Sequence, residues 1–501
     1  MTAQDSSILT KTLQRIMPLW RESSLGRRAK DTLELSPDLN QKDEQELKHW
    51  IEACLASEGG EVAARSKAAA LGRSFMSLNE TGRMRFLKLL SENYGADENQ
   101  INRMILRWQS SAGIERSACE NDLRQALEPA RMKLLTQFNE LPEGVKFLVD
   151  MRADLLALNR SHPELTPLEH DLKRLLTSWF DIGLLQLEQI TWHSSAEVLE
   201  KLISYEAVHA IKSWDDLKNR LDSDRRCFAF FHPSMPNEPL IFVEVALVNG
   251  LSDNVQHLLD INVPVLDIQQ ADTAIFYSIS NAQKGLAGIS FGNFLIKRVV
   301  KLLQAEFPQL KHFSTLSPIP GFCRWLHNQE QVLEEQSWLA PLLTQSFNSL
   351  SIKQAANSAQ ASEDTQTSVP EVEVEVEVEV QIEISPEQQE ILINLAAYYL
   401  TSVRRKAKPG GLSGINEVLS VKNPVAHFHL SNGAQVERLN WLADSSNNGL
   451  KQSAGLMVNY LYKLDSIEDN SRKYSEQGEV ATSSEVKKRL KAPCLKLFET
   501  Q

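Results

Sequence analysis

Four stretches of this chain carry side chains whose types and spacing could do chemistry. In Leu316-Ser317-Pro318-Ile319-Pro320-Gly321-Phe322, two prolines and a glycine follow a strand-like run. Such a turn is rigid and holds one hydroxyl, that of Ser317, in a single place. A second stretch, Asn423-Pro424-Val425-Ala426-His427-Phe428-His429, brings two imidazoles close together. Read as a strand over Val425–Leu430, it puts His427 and His429 on one face, so a two-His metal site has to be weighed. No Asp, Glu or Cys stands at a companion spacing. One His working in an active site, titrating near neutrality, is the better reading, and no metal is expected.

The third stretch is Gly285-Leu286-Ala287-Gly288-Ile289-Ser290-Phe291-Gly292-Asn293, between a strand-like run and an amphipathic helix from Phe294. Glycines let a backbone approach a ligand, and a helix N-terminus offers unpaired N–H groups and partial positive charge. Together they would cradle a phosphate. The stretch matches neither the Walker loop, which needs Gly-Lys-Ser/Thr, nor the full dinucleotide fingerprint, and alone such a turn is structural more often than not. The fourth, His232-Pro233-Ser234-Met235-Pro236-Asn237-Glu238-Pro239, holds a His and a Glu but reads as a turn set by its prolines. No Gly-x-Ser-x-Gly elbow occurs, Gly411-Leu412-Ser413-Gly414 being one residue short, so an α/β-hydrolase lacks support.

The elements that must position these groups change character along the chain. Ile101, Met104, Ile105 and Trp108, then Leu168, Leu172, Leu175, Leu176 and Trp179, recur at helical spacing. With Asp43, Asp97 and Asn99 as cap-type residues, they predict a helical domain over 1–178. Beyond it, Cys227–Phe231, Leu240–Leu247, Ala274–Ile279, His312–Leu316, Val425–Leu430 and Met457–Tyr462 read as strands, with a helix over Phe294–Phe307. Strands interleaved with helices predict a second domain over 179–501 of α/β or α+β class. Within it, about 351–385 is low-complexity and repeats Glu-Val five times from Glu371 to Val380. A row of like charges resists cross-strand pairing, so this segment is expected to be a largely disordered, looped-out insertion. Ser385-Pro386-Glu387-Gln388 then carries a capping box with Pro in the first turn, predicting a returning helix.

The chain has 501 residues, 42% hydrophobic and 24% charged, with a formal charge of −12. That balance excludes nucleic acid or an anionic membrane as the dominant partner, since both require a basic footprint. The five cysteines form no CxxC and are odd in number, which suits a reducing compartment better than a disulfide framework or zinc site. No run of 18 apolar residues occurs, Met1 to Ser24 lacks a signal-peptide h-region, and Phe498-Glu499-Thr500-Gln501 is no known address. A cytoplasmic protein is expected.

Several blocks together resemble the malonyl-CoA decarboxylase family. They are Phe276–Ser280, Phe294–Val300, Leu316–Phe322, Asn423–Gly433 and Asn440-Trp441, with Met151–Leu156 and Thr191–Ser194 upstream. The resemblance spans roughly 90–462 apart from the insertion. It implies an α+β protein, an N-terminal all-α helical bundle followed by a catalytic domain with a mixed sheet of the GCN5-related acetyltransferase (GNAT) type. It implies that the turn Ala287, Gly288, Ile289, Ser290, Phe291, Gly292 and Asn293 binds the CoA pyrophosphate. This turn departs from the usual Gln/Arg-x-x-Gly-x-Gly/Ala form: Ala287 and Ser290 replace the first two marker residues, and Gly292 is kept. Relatives carry an acidic residue where Ser290 stands, so no catalytic duty is carried over to it.

The family's catalytic Ser corresponds to Ser317 and its catalytic His to His429; His427 stands where relatives can carry Asn. The implied partners are malonyl-CoA and acetyl-CoA, with a homo-oligomer built through the helical domain. No organic cofactor is expected, because the thioester carbonyl itself accepts the electrons left by departing CO2. Donors at the developing enolate oxygen in a dry site contribute several kcal/mol. His429, with a pKa near the operating pH, is the expected donor, and Ser317 the partner of the malonyl group or a proton relay. The rival reading is a GNAT-type acyl-CoA-dependent acyltransferase, which needs a second substrate groove and a base for an amine.

Overall fold

The computed structural model describes residues 33–289, 292–336, 338–339, 384–405 and 420–498. The Glu-Val tract and Gly411–Gly414 lie outside the described residues. Up to Trp179 the described chain is helical: α1 Gln41–Leu55, α2 Glu61–Ser77, α3 Glu80–Asn93, α4 Glu98–Ser110, α5 Ile114–Ala126, α6 Arg131–Asn139, α7 Gly144–Leu158 and α8 Thr166–Trp179. Asn40, Asn79 and Asp97 cap α1, α3 and α4 by accepting backbone N–H groups. Of the expected caps, only Asp97 holds that place. Asp43 sits in the first turn of α1 and accepts from Ser36, and Asn99 lies inside α4. Phe75, Phe86, Phe138 and Phe147 meet edge-to-face at centroid distances of 5.0–5.8 Å, locking α2, α3, α6 and α7 together.

The strands are β1 Gln186–Ile190, β2 Arg225–Phe231, β3 Ile241–Val248, β4 Thr273–Asn281, β5 His312–Thr315, β6 Ser317–Pro318, β7 Gln435–Asn440 and β8 Met457–Leu461. They form one mixed sheet in the order β1-β2-β3-β4-β5-β8-β6, with β7 also on β8. Only β4 and β5 run parallel, and α12, Gly292–Glu306, makes the crossover between them. β2, β3 and β4 are buried along nearly their whole lengths, which is why they read as continuous apolar runs. One apolar cluster runs from the helices through Val243, Phe276 and Phe313 to Leu295 and Val299 of α12. Smaller clusters around Phe242 and around Ile275 and Met457 cover the opposite side. The class is α+β, as expected.

Between β1 and β2 lie α9, Ala196–Tyr205, and α10, Trp214–Arg220; α11, Val255–Leu259, follows β3. After β6 come α13, Phe322–His327, α14, Glu330–Glu335, and α15, Pro386–Thr401, whose Ser385/Gln388 capping box is present as the sequence predicts. One expected strand is overturned. Val425–Leu430 is not a strand but lies in a helix, α16, Pro424–Ser431. Asn423 accepts the Ala426 N–H through its side chain and Pro424 occupies the first turn, a start signal stronger than the period-2 pattern that follows. α17, Asn447–Ser453, α18, Ile467–Gln477, and α19, Ser484–Arg489, complete the described helices.

Candidate active site

Thr315 ends β5, and Leu316 carries the chain into the two-residue strand β6, where Ser317 pairs with Val458 of β8. Val458 and Tyr460 lie two apart on β8 and share a face, so Ser317 is presented on the Tyr460 side of the sheet. The turn behind it is fixed from outside. Gly321 takes φ +79°, a left-handed conformation natural to glycine, and a Cβ there would stand 3.1 Å from the Tyr399 hydroxyl. That hydroxyl donates to Pro320 O at 3.1 Å, and Asn423 Nδ2 donates to the same carbonyl at 2.9 Å. Asn423 thus caps α16 with its oxygen and ties the Ser317 turn with its nitrogen. One buried side chain sets both chemical segments relative to each other.

α16 places its two histidines apart. Residues two apart on a helix differ by about 200° around the axis, so His427 and His429 cannot share a face. His427 Nδ1 lies 2.9 Å from the Tyr474 hydroxyl on α18. His429 points into the sheet, its Nε2 3.2 Å from Ser317 Oγ and its Nδ1 2.7 Å from the Tyr462 hydroxyl. The imidazole also stacks on Tyr460 at a centroid distance of 4.6 Å and 24° between planes. Ser317 Oγ donates to Thr315 Oγ1 at 2.8 Å, which also accepts the Tyr460 N–H at 3.2 Å. With its proton directed at Thr315, Ser317 is left as an acceptor. We therefore assign the imidazole proton to Nε2, with the Tyr462 O–H donating to Nδ1.

Ser317, His429, Tyr460 and Tyr462 are all buried. Burial pulls the His429 imidazole down to about 3 and pushes the Tyr462 phenol well above its ordinary value. This corrects the expectation of a histidine titrating near the operating pH. His429 is a neutral imidazole with one fixed N–H donor, and the group beside it is a neutral phenol. Among the described residues no group of three or more His, Cys, Asp or Glu is placed to hold a metal ion.

The glycine turn makes the β4–α12 connection. Ala287 and Gly288 form a turn, Gly288 at φ +76°, and Ile289 packs against the main core. Ser290 and Phe291 lie outside the described residues, and Gly292 and Asn293 begin α12, two residues before the predicted start. The turn is gripped by the helical region. Val149 O of α7 stands 1.8 Å from where a Gly285 Cβ would be, so only glycine fits. Arg152 donates to Gly285 O at 2.5 Å and is itself held by Glu169 of α8 at 2.7 Å.

The His232 stretch is structural, as expected: His232 contacts Trp179 O at 3.1 Å and accepts the Ser234 N–H. Glu238 is engaged by Lys201 and Tyr205.

The model of the malonyl-CoA decarboxylase C-terminal domain matches residues 183–498, and that of its N-terminal domain residues 94–180. The mitochondrial malonyl-CoA decarboxylase of Mus musculus is 37% identical over 416 residues, covering 81% of each chain. The chain belongs to the malonyl-CoA decarboxylase family. The crystal structure of malonyl-CoA decarboxylase from Rhodopseudomonas palustris superposes with a TM-score of 0.74 at 38% identity, covering 89% of this chain and 99% of that one. That from Agrobacterium vitis gives 0.72 at 35% identity, covering 89% and 100%.

Within this family frame, the sequence reading named Ser317 and His429 but missed the residues that hold them. Tyr460 and Tyr462 carried a usable signal, since they alternate on a run already read as a strand and so share a face. The hold of Asn423 on Pro320 O and of Thr315 on the Tyr460 N–H carried none, because those partners lie far along the chain.

Proposed function

We propose that this protein decarboxylates malonyl-CoA to acetyl-CoA and CO2, with Ser317 and His429 as the catalytic pair. The observation that carries the assignment is the 3.2 Å approach of Ser317 Oγ to His429 Nε2, both side chains buried, across 112 residues of sequence. In the reaction the bond between C2 and the carboxylate carbon breaks and its electron pair moves into the thioester, giving an enolate. C2 then takes up one proton. A neutral imidazole suits this chemistry better than an imidazolium would. Its Nε2–H is a fixed donor to the enolate oxygen at no cost of burying a charge, and a dry site strengthens that hydrogen bond. Tyr462 holds the tautomer. Ser317, released from Thr315 when substrate arrives, gives its Oγ proton to C2 and takes the replacement from solvent, the source of the one proton the reaction consumes, while His429 stays neutral.

We further propose that 179–501 is a GNAT-type catalytic domain and 1–178 a separate helical one. The strand–turn–helix–strand unit β4–α12–β5 supports this, with a glycine turn at the carboxyl end of a central strand, where open sheets bind ligands. On this reading Ala287, Gly288, Ile289, Ser290, Phe291, Gly292 and Asn293 bind the CoA pyrophosphate. The exposed apolar side chains Leu106 of α4 and Ile114 of α5 support assembly of copies through the helical region. Five free thiols support a reducing compartment such as the cytoplasm. Among the described residues no helix is long and apolar enough to cross a membrane.

The test is mass spectrometry of malonyl-CoA incubated with the purified chain. One acetyl-CoA for each malonyl-CoA consumed is expected. Malonyl-CoA left intact, or CoA released only in the presence of an amine, would overturn the assignment.

A further inference from the structure

The charges along α8 are matched until Lys173. On α8, Glu169 accepts from Arg152, and Asp171 takes up Arg131 at 2.7 Å and Arg174 at 3.8 Å. Lys173 follows Glu169 by one helical turn and so lies on the same face of α8. Just as the Glu169–Arg152 pair reaches Gly285, Lys173 reaches Gly288. Its Nζ lies 3.4 Å, and its Cε 3.8 Å, from the point where a Gly288 Cβ would stand. Lys173 is partly buried. Among the described residues its ammonium has no ion-pair or hydrogen-bond partner. A cation packed on bare backbone and partly withdrawn from water is unfavourable unless an anion joins it. The backbone beside it is the turn leading into α12, so an anion lying over that turn would meet Lys173 from the side of the helical region.

We propose that Lys173 is a phosphate-binding residue of the acyl-CoA site, contributed by the helical region to a turn that belongs to the sheet. The ligand class is a phosphate of the CoA moiety, which Lys contacts as a point charge. The inference rests on the acyl-CoA reading above and adds a residue outside the glycine turn. It also gives the Gly285 grip a purpose: Arg152 and Val149 fix the height of the turn against α7 and α8, and that fixes where Lys173 stands over Gly288.

The test compares Lys173→Gln and Lys173→Arg with wild type on malonyl-CoA and on malonyl-pantetheine, which lacks every phosphate. Loss of one charge-assisted contact made equally in ground and transition states should raise KM for malonyl-CoA about tenfold with kcat unchanged. Lys173→Arg should restore most of the loss. KM for malonyl-pantetheine should be the same for all three proteins. An unchanged KM for malonyl-CoA in Lys173→Gln, or an equal loss with malonyl-pantetheine, would overturn the proposal. Calorimetric titration of each protein with CoA separates this from the decarboxylase reading. If wild type turns over neither substrate but binds CoA in a Lys173-dependent way, only the reaction assignment fails. If wild type does not bind CoA, both fail.

Discussion

Around His429 the contacts run between neutral side chains sealed between sheet and helix: a serine, a phenol, a threonine relay and a stacked ring. Around Gly288 they are bare backbone and charge, with a lysine at Gly288 and an Arg–Glu pair at Gly285. The two regions suit different tasks. A hydrogen bond to developing charge is strongest where water is excluded and the donor needs no reorganisation. An anchor for a charged group that does not react has no need of dryness, and a semi-exposed ammonium serves it well. The neutral region should therefore control kcat and the charged one KM, and each prediction below tries to break that division.

The largest effect belongs to His429. Replacing it by Asn removes the Nε2–H donor and should lower kcat by about 10²-fold or more, with CoA affinity little changed. Ser317→Ala should also lower kcat, and the double variant should lose less than the product of the two, since the pair acts as a unit. Steady-state kinetics with a CoA titration checks this. A rise in KM with kcat intact would place the pair in binding and end the division.

Next comes Gly285→Ala, which puts a methyl group against Val149 O and C, main-chain atoms that cannot swing aside. Overpacking of this kind should cost about 1–3 kcal/mol of stability. It should also raise KM for malonyl-CoA more than it lowers kcat, because the turn is displaced from α8. A thermal melt with kinetics on the same preparation reads both. An undisturbed melting temperature would show that the grip of α7 on the turn is not real.

A smaller effect follows from the depressed value of His429. It stands at about 3 in the fold, against roughly 6.5 in the unfolded chain. Between those values the unfolded chain holds a proton that the native one refuses, so stability falls as pH drops from ~6.5 toward 3 and has no slope from this group above that window. The slope is at most about 1.4 kcal/mol per pH unit for each such proton. His209, His232 and His427 are lowered by burial too, so His429→Asn should flatten the acid limb without abolishing it. Urea unfolding from about pH 7 to about pH 4 measures this. Equal slopes for both proteins would mean that His429 is not buried neutral.

What the sequence shows of all this divides along similar lines. β2, β3, β4 and β8 are legible because each is a short apolar run that packs on both faces. The helix at Ser385 is legible because its capping box is local. The Ser317 turn is legible because prolines fix a backbone wherever they stand. α16 is misread because the alternation of Val425, His427 and His429 mimics a strand, although Asn423-Pro424 in front of it is a helix start. The depressed His429 is illegible in principle, since burial comes from Tyr460, Tyr462 and the sheet, none of them near it in sequence. The same holds for Lys173, whose meaning depends on Gly288 lying beneath it.

The smallest expected effect is that of His427→Asn, and it tests the corrected helix most directly. Had Val425–Leu430 been a strand, His427 and His429 would share a face and either could serve Ser317. On α16 they diverge, and His427 turns to α18, where its Nδ1 meets the Tyr474 hydroxyl. Burial and the nearby Arg405 guanidinium both hold His427 below its ordinary value, so it is neutral at physiological pH and its loss removes no charge. Asn can keep a hydrogen bond to the Tyr474 hydroxyl, which also accepts the Val421 N–H at 3.1 Å and so stays ordered. Kinetic constants for His427→Asn should therefore stay within about threefold of wild type, with a stability loss of at most about 1 kcal/mol, that of one neutral hydrogen bond. A kcat loss matching that of His429→Asn would mean that both imidazoles reach the substrate, which the helix forbids.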